Sequence, residues 1–467
     1  MVRHLATALG MALLLLLMAL AGDRHVDART AAAGQPFSGT VRPPSGILPV
    51  VVPLPPSASG PEQVRPNFDD FSWRSFIALN WPADPVGRGV PKSPDRPAVF
   101  LDAGKSYQTV WDTYREAYEL FRVDGRRPPP FAAADQTTTV CGTAAPGTKI
   151  LLMGSKSGTL LQDTDQAFSY PLVDQSNNYV YYEIRFNRDQ YEFVRGQDRD
   201  PSSWLYLARN LQQAEIKAPI AMPISAPQPY RQGAVMLKAA WKQMTDADDA
   251  SRYYVVKARI YDTSGAQPVC RDATMGLIGF HIGHKVADFA QWIWSSFEQV
   301  DNVPSDDGSR PPGRMTLNNG SADPQTQGGW ANRPASKHQV PPDKRLKAQV
   351  TRLNPIPTTP AGQSTVDINN LYRTALRNTV WSNYQLVITQ WPAQAVPQAQ
   401  FKPKVSQGVY PQDAGTPFPV DDAVNTALET FFQSQGDAAG AGGNSCMQCH
   451  YGAGDADFSW SLTLRSN

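Results

Sequence analysis

The spacing of apolar residues changes character several times along the chain. Residues 5–20 are a predominantly apolar run, preceded by Arg3 and His4 and ending in Ala19-Leu20-Ala21. A basic start, a run of that length and a small-x-small end predict an export signal over residues 1–21, with no membrane span left after its cleavage. Residues 22–66 are rich in Ala, Gly, Ser and Pro, including Pro43-Pro44 and Pro53-Leu54-Pro55-Pro56. This composition predicts an extended linker, with Val50-Val51-Val52 as its one segment suited to docking. A folded region is expected from Asn67.

Over residues 67–80, Phe68, Phe71, Phe76 and Leu79 recur at helical spacing, with Asn67 as cap and Pro82 as stop. A second helix is predicted over 109–122, where Tyr114, Tyr118 and Phe121 share a face. From about residue 148 the period falls to two. Residues 179–186 and 191–194 predict a hairpin around 187–190, and 203–215 a helix. Residues 234–244 and 253–261 predict strands joined by the polar turn 246–249, and 275–286 another strand before the Trp-rich stretch 289–300. The Pro- and Gly-rich residues 302–363 predict a surface wrap or functional loop. A helix at 365–379 and a short strand at 384–389 follow. The last predicted helix, 421–433, carries Val424, Leu428, Phe431 and Phe432 on its apolar face. The class is α+β: a β-rich centre, as a sandwich or a folded antiparallel sheet, with flanking helices and a short helical C-terminal segment. Residues 67–400 form the mixed domain and 401–467 the C-terminal segment.

Charge removes several functions. Lys and Arg number 43 against 42 Asp and Glu in 467 residues, and without Arg3 the balance is even. Basic residues are dispersed, so nucleic-acid binding has no support. There is no P-loop, no GxGxxG after a strand, no HExxH and no GxSxG. The acidic pairs Asp69-Asp70 and Asp248-Asp249 suit caps and turns.

Four cysteines are too few for a disulfide scaffold, and two of them stand in Cys446-Met447-Gln448-Cys449-His450. CxxCH is the attachment signature of c-type haem. Thiols three residues apart reach two vinyl groups of one porphyrin, and the next residue places an imidazole under the iron. A Cys446–Cys449 disulfide or a zinc site are the alternatives. The first is expected beside a βαβ pattern and the second needs four ligands, neither of which stands nearby.

Residues 421–467 resemble the C-terminal segment of bacterial monohaem cytochrome c-type proteins: NTALETFFQ leads to SCMQCH, and Asp457-Phe458-Ser459-Trp460 follows. FSWRSFIALNWP at 71–82 and QWIWSSFEQVDNVP at 291–304 are also similar to stretches of such proteins. The resemblance implies an exported haem protein with one covalent haem c. Unlike small cytochromes c, the chain has only 17 residues after His450, none of them Met or His. A sixth iron ligand must therefore come from upstream, be water, or be absent.

His281 and His284 are the upstream candidates, with Met275 and Met315 behind them, since His4 and His25 fall in the signal and linker and His338 in the Pro-rich stretch. On a strand over 275–286, Ile278, Phe280, Ile282, His284 and Val286 share one face, and His281, Gly283 and Lys285 the other. His284 is thus expected to be buried and His281 to face solvent or a pocket. Gly276, Gly279 and Gly283 either admit a flat ring or mark bulges. Cys141 and Cys270 remain for a disulfide in an oxidising compartment. The expected function is a periplasmic or secreted electron carrier between redox partner proteins. A peroxidase-like enzyme with His281 or His284 as acid–base group, or a haem-based sensor, are the alternatives.

Overall fold

The computed structural model describes residues 35–320, apart from 57–59, 105, 123, 135–137, 140, 144, 146–147, 154–170, 218–219, 263–266 and 268. It also describes residues 347–393, 417–419, 425–432 and 446–465. The signal expected at 1–21 lies outside the described residues. None of the described helices is long and apolar enough to cross a membrane.

The expected α+β class with a β-rich centre is what the chain adopts. One nine-stranded sheet, antiparallel but for a single pair, organises it. Its strands are β1 (Arg115–Glu116), β2 (Lys149–Met153), β3 (Tyr181–Phe186), β4 (Val235–Gln243), β5 (Val255–Asp262), β6 (Val269–Val286), β7 (Phe289–Gln299), β8 (Tyr384–Pro392) and β9 (Pro417–Phe418). The spatial order is β1-β3-β4-β6-β7-β8-β9, with β5 on the first half of β6 and β2 parallel to β5. The 18-residue β6 pairs with β5 through Gly276, then bulges between Leu277 and Gly279 and pairs with β7 from Gly279 onward. Cys141 and Cys270 are joined as expected, with Cα atoms 5.6 Å apart across a sequence separation of 129. The bond ties a small hairpin to the start of β6.

The helices are α1 (Pro61–Leu79), α2 (Arg188–Arg195), α3 (Ala208–Lys217), α4 (Thr365–Ala375), α5 (Cys446–Tyr451) and α6 (Trp460–Arg465). α1 and α4 cover one face of the sheet, hereafter the helix face. There Phe68 stacks on Trp391 at 3.9 Å, Phe76 on Phe297 at 4.3 Å, and Trp73 on Tyr372 at 5.1 Å. Residues 425–432 and 446–465 lie on the opposite, tail face.

Several sequence expectations are corrected. α1 starts at Pro61 rather than Asn67, because proline presets the first helical φ and Glu62 both suits the N-terminus and pairs with Arg65 at 3.0 Å. Leu48, Val50 and Val52 are buried, so this part of the expected linker belongs to the fold. Asp69 and Asp70 are not caps: they sit inside α1, fully buried, receiving hydroxyls from Thr365, Thr389 and Tyr372. Asp248 and Asp249 do serve turns, accepting from Thr245 N and Ser251 N.

The helix expected at 109–122 is replaced by a 3-10 turn (Trp111–Thr113), β1 and a one-turn helix (Ala117–Leu120). Arg185 takes the carbonyls of Asp112 and Tyr114, which a helix would have used itself. The hairpin expected around 187–190 is instead β3 running into α2. Asn187 caps α2 by accepting from Gln190 N at 3.1 Å, and Tyr191, Val194 and Arg195 form its buried side. Of the helix expected at 421–433, the described residues 425–432 form turns ending in a 3-10 turn at Thr430–Phe432. Within 302–363, Val303, Leu317, Ala348 and Val350 pack with Leu172, Tyr182 and Leu428, so these positions are core, while residues 305–310 and 358–363 lie exposed on the surface. His338 lies outside the described residues.

Candidate functional site

The tail face of β6 reads Gly279, His281, Gly283, Lys285. Their partners on β4 and β7 bring Lys238 and Ser296 beside His281, and Met236 and Trp294 beside Gly283. Gly279 and Gly283 leave this face flat, and protein groups fill the space. A Cβ at Gly279 would lie 3.1 Å from Leu428, and one at Gly283 3.0 Å from the Trp294 ring. Gly276 is closed off by Met244 and Tyr253.

Onto this face the C-terminal segment brings the CxxCH residues. Cys446 and Cys449 lie on the single helix α5, one turn apart, as free thiols. α5 is pinned to the sheet where Met447 N donates to Gln390 Oε1 at 2.7 Å, and it meets α6 where Trp460 Nε1 donates to Cys449 O at 2.9 Å. Gly452 between them has no room for a side chain, since a Cβ would fall 2.6 Å from the Trp460 ring. Burial, reinforced by the Glu429 carboxylate, pushes the Cys449 thiol up to about 11 and Cys446 higher still. Both therefore stand protonated near neutrality.

His450 lies against Trp294, with ring centroids 4.0 Å apart. Its Nδ1 is 2.6 Å from the carbonyl oxygen of Phe458. A carbonyl only accepts, so Nδ1 carries the proton and the lone pair is on Nε2. Burial pushes this imidazole down to about 4, so at neutral pH the ring is uncharged. The arrangement is that of a metal-ligating histidine, whose other nitrogen donates to a carbonyl that fixes tautomer and orientation.

The two upstream histidines are separated by the sheet. His281 is on the tail face, its Nε2 3.2 Å from Glu429 Oε2 and 3.1 Å from Ser296 Oγ. Burial would raise Glu429, but His281 and Lys238 hold its carboxyl below the usual range. His284 is on the helix face as expected, buried against Phe71 at 5.6 Å and donating from Nε2 to Gln232 O at 2.7 Å. It does not meet the CxxCH residues. Met275 and Met315 are both buried, Met275 in the main core.

One expectation about β6 is corrected. Ile278 packs with Leu428 and Ala240 rather than with Phe280, because the bulge at Leu277/Gly279 resets the alternation. Lys285 lies on the His281 face as expected, fully buried against Asp457. Sequence reasoning also missed Trp294, Gln390, Glu429, Lys285 and Asp457. Three stretches of the resemblance held some of them: QWIWSSFEQVDNVP holds Trp294, NTALETFFQ holds Glu429 and DFSW holds Asp457.

Among the described residues no three His, Cys, Asp or Glu side chains converge as a metal-ion cage, so the zinc alternative finds no ligand set. No protein-family model, curated protein or solved structure matches the chain.

Proposed function

We propose that the chain is an exported c-type cytochrome holding one covalent haem and passing single electrons between redox partner proteins. The observation that carries this reading is the His450 Nδ1–Phe458 carbonyl bond of 2.6 Å beside two free thiols on one helical turn. Cys446 and Cys449 would hold the porphyrin as thioethers, and attachment needs both sulfurs reduced, as they are here. His450 Nε2 is the proximal ligand, neutral and pre-oriented by Phe458 and Trp294. The bound iron supplies one-electron oxidation and reduction.

The chain's own residues supply the setting. Trp294 and Phe458, both buried, contact His450, which is itself only partly buried. His281, on the same face, would be the second iron ligand in preference to His284, which lies across the sheet. The Cys141–Cys270 disulfide supports an oxidising compartment, periplasmic or extracellular. A second reading draws on the His281–Glu429 pair: a histidine held by a carboxylate is also how an acid–base group is oriented, as a peroxidase-like enzyme requires.

The test is an optical and mass spectrum of protein matured with the haem-attachment machinery. One covalent haem is expected, lost in Cys446→Ala/Cys449→Ala. Low-spin iron indifferent to carbon monoxide is expected, turning high-spin and reactive in His281→Ala but not in His284→Ala. Absence of covalent haem from the wild type overturns the reading. A high-spin, carbon-monoxide-binding wild type replaces the carrier with the enzyme.

A further inference from the structure

A buried ion pair joins the central strand to the turn that holds His450. Lys285 Nζ meets Asp457 Oδ2, and both side chains are 0% exposed. The same carboxylate accepts from Met222 N at 2.6 Å, and Trp292 Nε1 points at its other oxygen from 3.5 Å. Asp457 and the next residue, Phe458, both have positive φ, 52° and 63°. Two consecutive non-glycine residues in the left-handed region cost on the order of 1–3 kcal/mol each, and persist only where the surroundings enforce them. Here the enforcement is visible: Asp457 is gripped from β6 and from Met222, while Phe458 is buried against Tyr451 at 5.3 Å. The outcome of the turn is the Phe458 carbonyl aimed at His450 Nδ1.

We propose that Lys285 and Asp457 are the positioning residues of the iron-ligand histidine: the buried pair sets the turn at 457–458, and the turn sets the Nδ1 side of His450. This rests on the reading of His450 as ligand. Neither side chain touches the imidazole. They act through the carbonyl, whose hydrogen bond raises the basicity of Nε2 and so favours oxidised iron. Burial pushes the Lys285 ammonium down, and the Asp457 carboxylate opposes that shift. An unpaired partner is thus a buried lone charge, and the pair acts as a unit.

The chain contains a matched control. Lys242 and Asp248 form another buried pair, 2.7 Å apart, six residues along β4 from Met236, which meets Ser459 of the tail. The first measurement needs no haem. It is the exchange rate of the His450 Nδ1 proton by nuclear magnetic resonance, in protein made without haem attachment. The wild type is expected to protect it, because the turn at 457–458 holds the Phe458 carbonyl on Nδ1. Lys285→Met is expected to exchange about tenfold faster or more, and Lys242→Met to match the wild type. If Lys285→Met does not fold, Lys285→Met/Asp457→Asn leaves no lone charge and carries the same expectation. In the haem-loaded protein Lys285→Met should have a more positive midpoint potential. A protected proton with a lower potential marks a purely electrostatic role and overturns the proposal, as does equal loss of protection in Lys242→Met. If the wild type takes no covalent haem, the functional reading falls while the exchange data still decide the brace.

Discussion

The two faces of the sheet are held by different physics. On the helix face, 19-residue α1 lays Phe68, Trp73 and Phe76 onto Trp391, Phe297 and Tyr372, and the buried polar groups are matched within that packing, Ser72 with Ser295 and Thr389 at 2.7 Å and the Asp69 and Asp70 carboxylates with hydroxyls. On the tail face, α5 and α6 have six residues each, too short to be helical by themselves. They are fixed by particular polar contacts: Gln390 on Met447, Lys285 on Asp457, and Glu298 accepting from Thr426 Oγ1 at 2.8 Å. Aromatic packing is broad and tolerant of small shifts, whereas hydrogen-bonded charges define one orientation. The face that has to aim an imidazole is the one built from hydrogen bonds and ion pairs.

The comparison breaks hardest at Trp73. Its ring is fully buried between Tyr372 and Phe297, and its Nε1 donates to Asn369 Oδ1 at 3.0 Å. Trp73→Ala should lower the unfolding free energy in urea by about 3–5 kcal/mol. Any covalent haem should remain attached, and the His450 Nδ1 proton should stay protected in the folded fraction. A Trp73 variant that loses that protection would show that the faces are not separable.

Asp69 gives a smaller effect with a definite pH sign. Burial raises its carboxyl to about 6, outweighing the Thr365 and Thr389 hydroxyls and Arg65. In the unfolded chain it titrates near 3.8. The folded protein therefore holds this proton more tightly, so the contribution is full below about pH 4 and is lost as pH rises through about 6. The loss approaches about 3 kcal/mol as an upper bound. Asp69→Asn cannot titrate. The stability of wild type minus variant should fall between pH 4 and 7 and then level off, as read by urea unfolding at each pH. A flat difference would mean that the carboxyl does not change protonation in that range.

What the sequence made legible follows the same division. Strands β4, β5, β8 and the second half of β6 were expected from the sequence, whereas β7, buried on both faces, stood out only as a Trp-rich stretch; α4 was expected too, and Ser364 and Asp367 form a capping box at its start. The CxxCH spacing was legible because thiols three residues apart fall on one helical turn, as Cys446 and Cys449 do. The tail face was not. The partner of Lys285 was not legible, since nothing local points to Asp457, 172 residues later. Ile278 was misplaced by a bulge, and residues 109–122 by long-range hydrogen bonds to Arg185. Local periodicity is overridden at Ile278 by a backbone irregularity and at 109–122 by a distant polar partner.

Gly279 offers the finest test, because it lies at that bulge and under the tail. An added Cβ would sit 3.1 Å from the Leu428 Cγ and Cδ1 atoms and 3.2 Å from Asn425 Oδ1. Leu428 can shift by a few tenths of an ångström. Asn425 cannot do so freely, since its Nδ2 donates to Phe297 O at 2.7 Å and its Oδ1 accepts from Ala427 N at 3.0 Å. Gly279→Ala should therefore cost about 1 kcal/mol, toward the low end for overpacking. The cost should fall on residues 425–429, seen as faster amide exchange there, with Met447 and the helix face unchanged. Faster exchange across α1 as well would mean that strain passes through the sheet, and that the two faces are mechanically one.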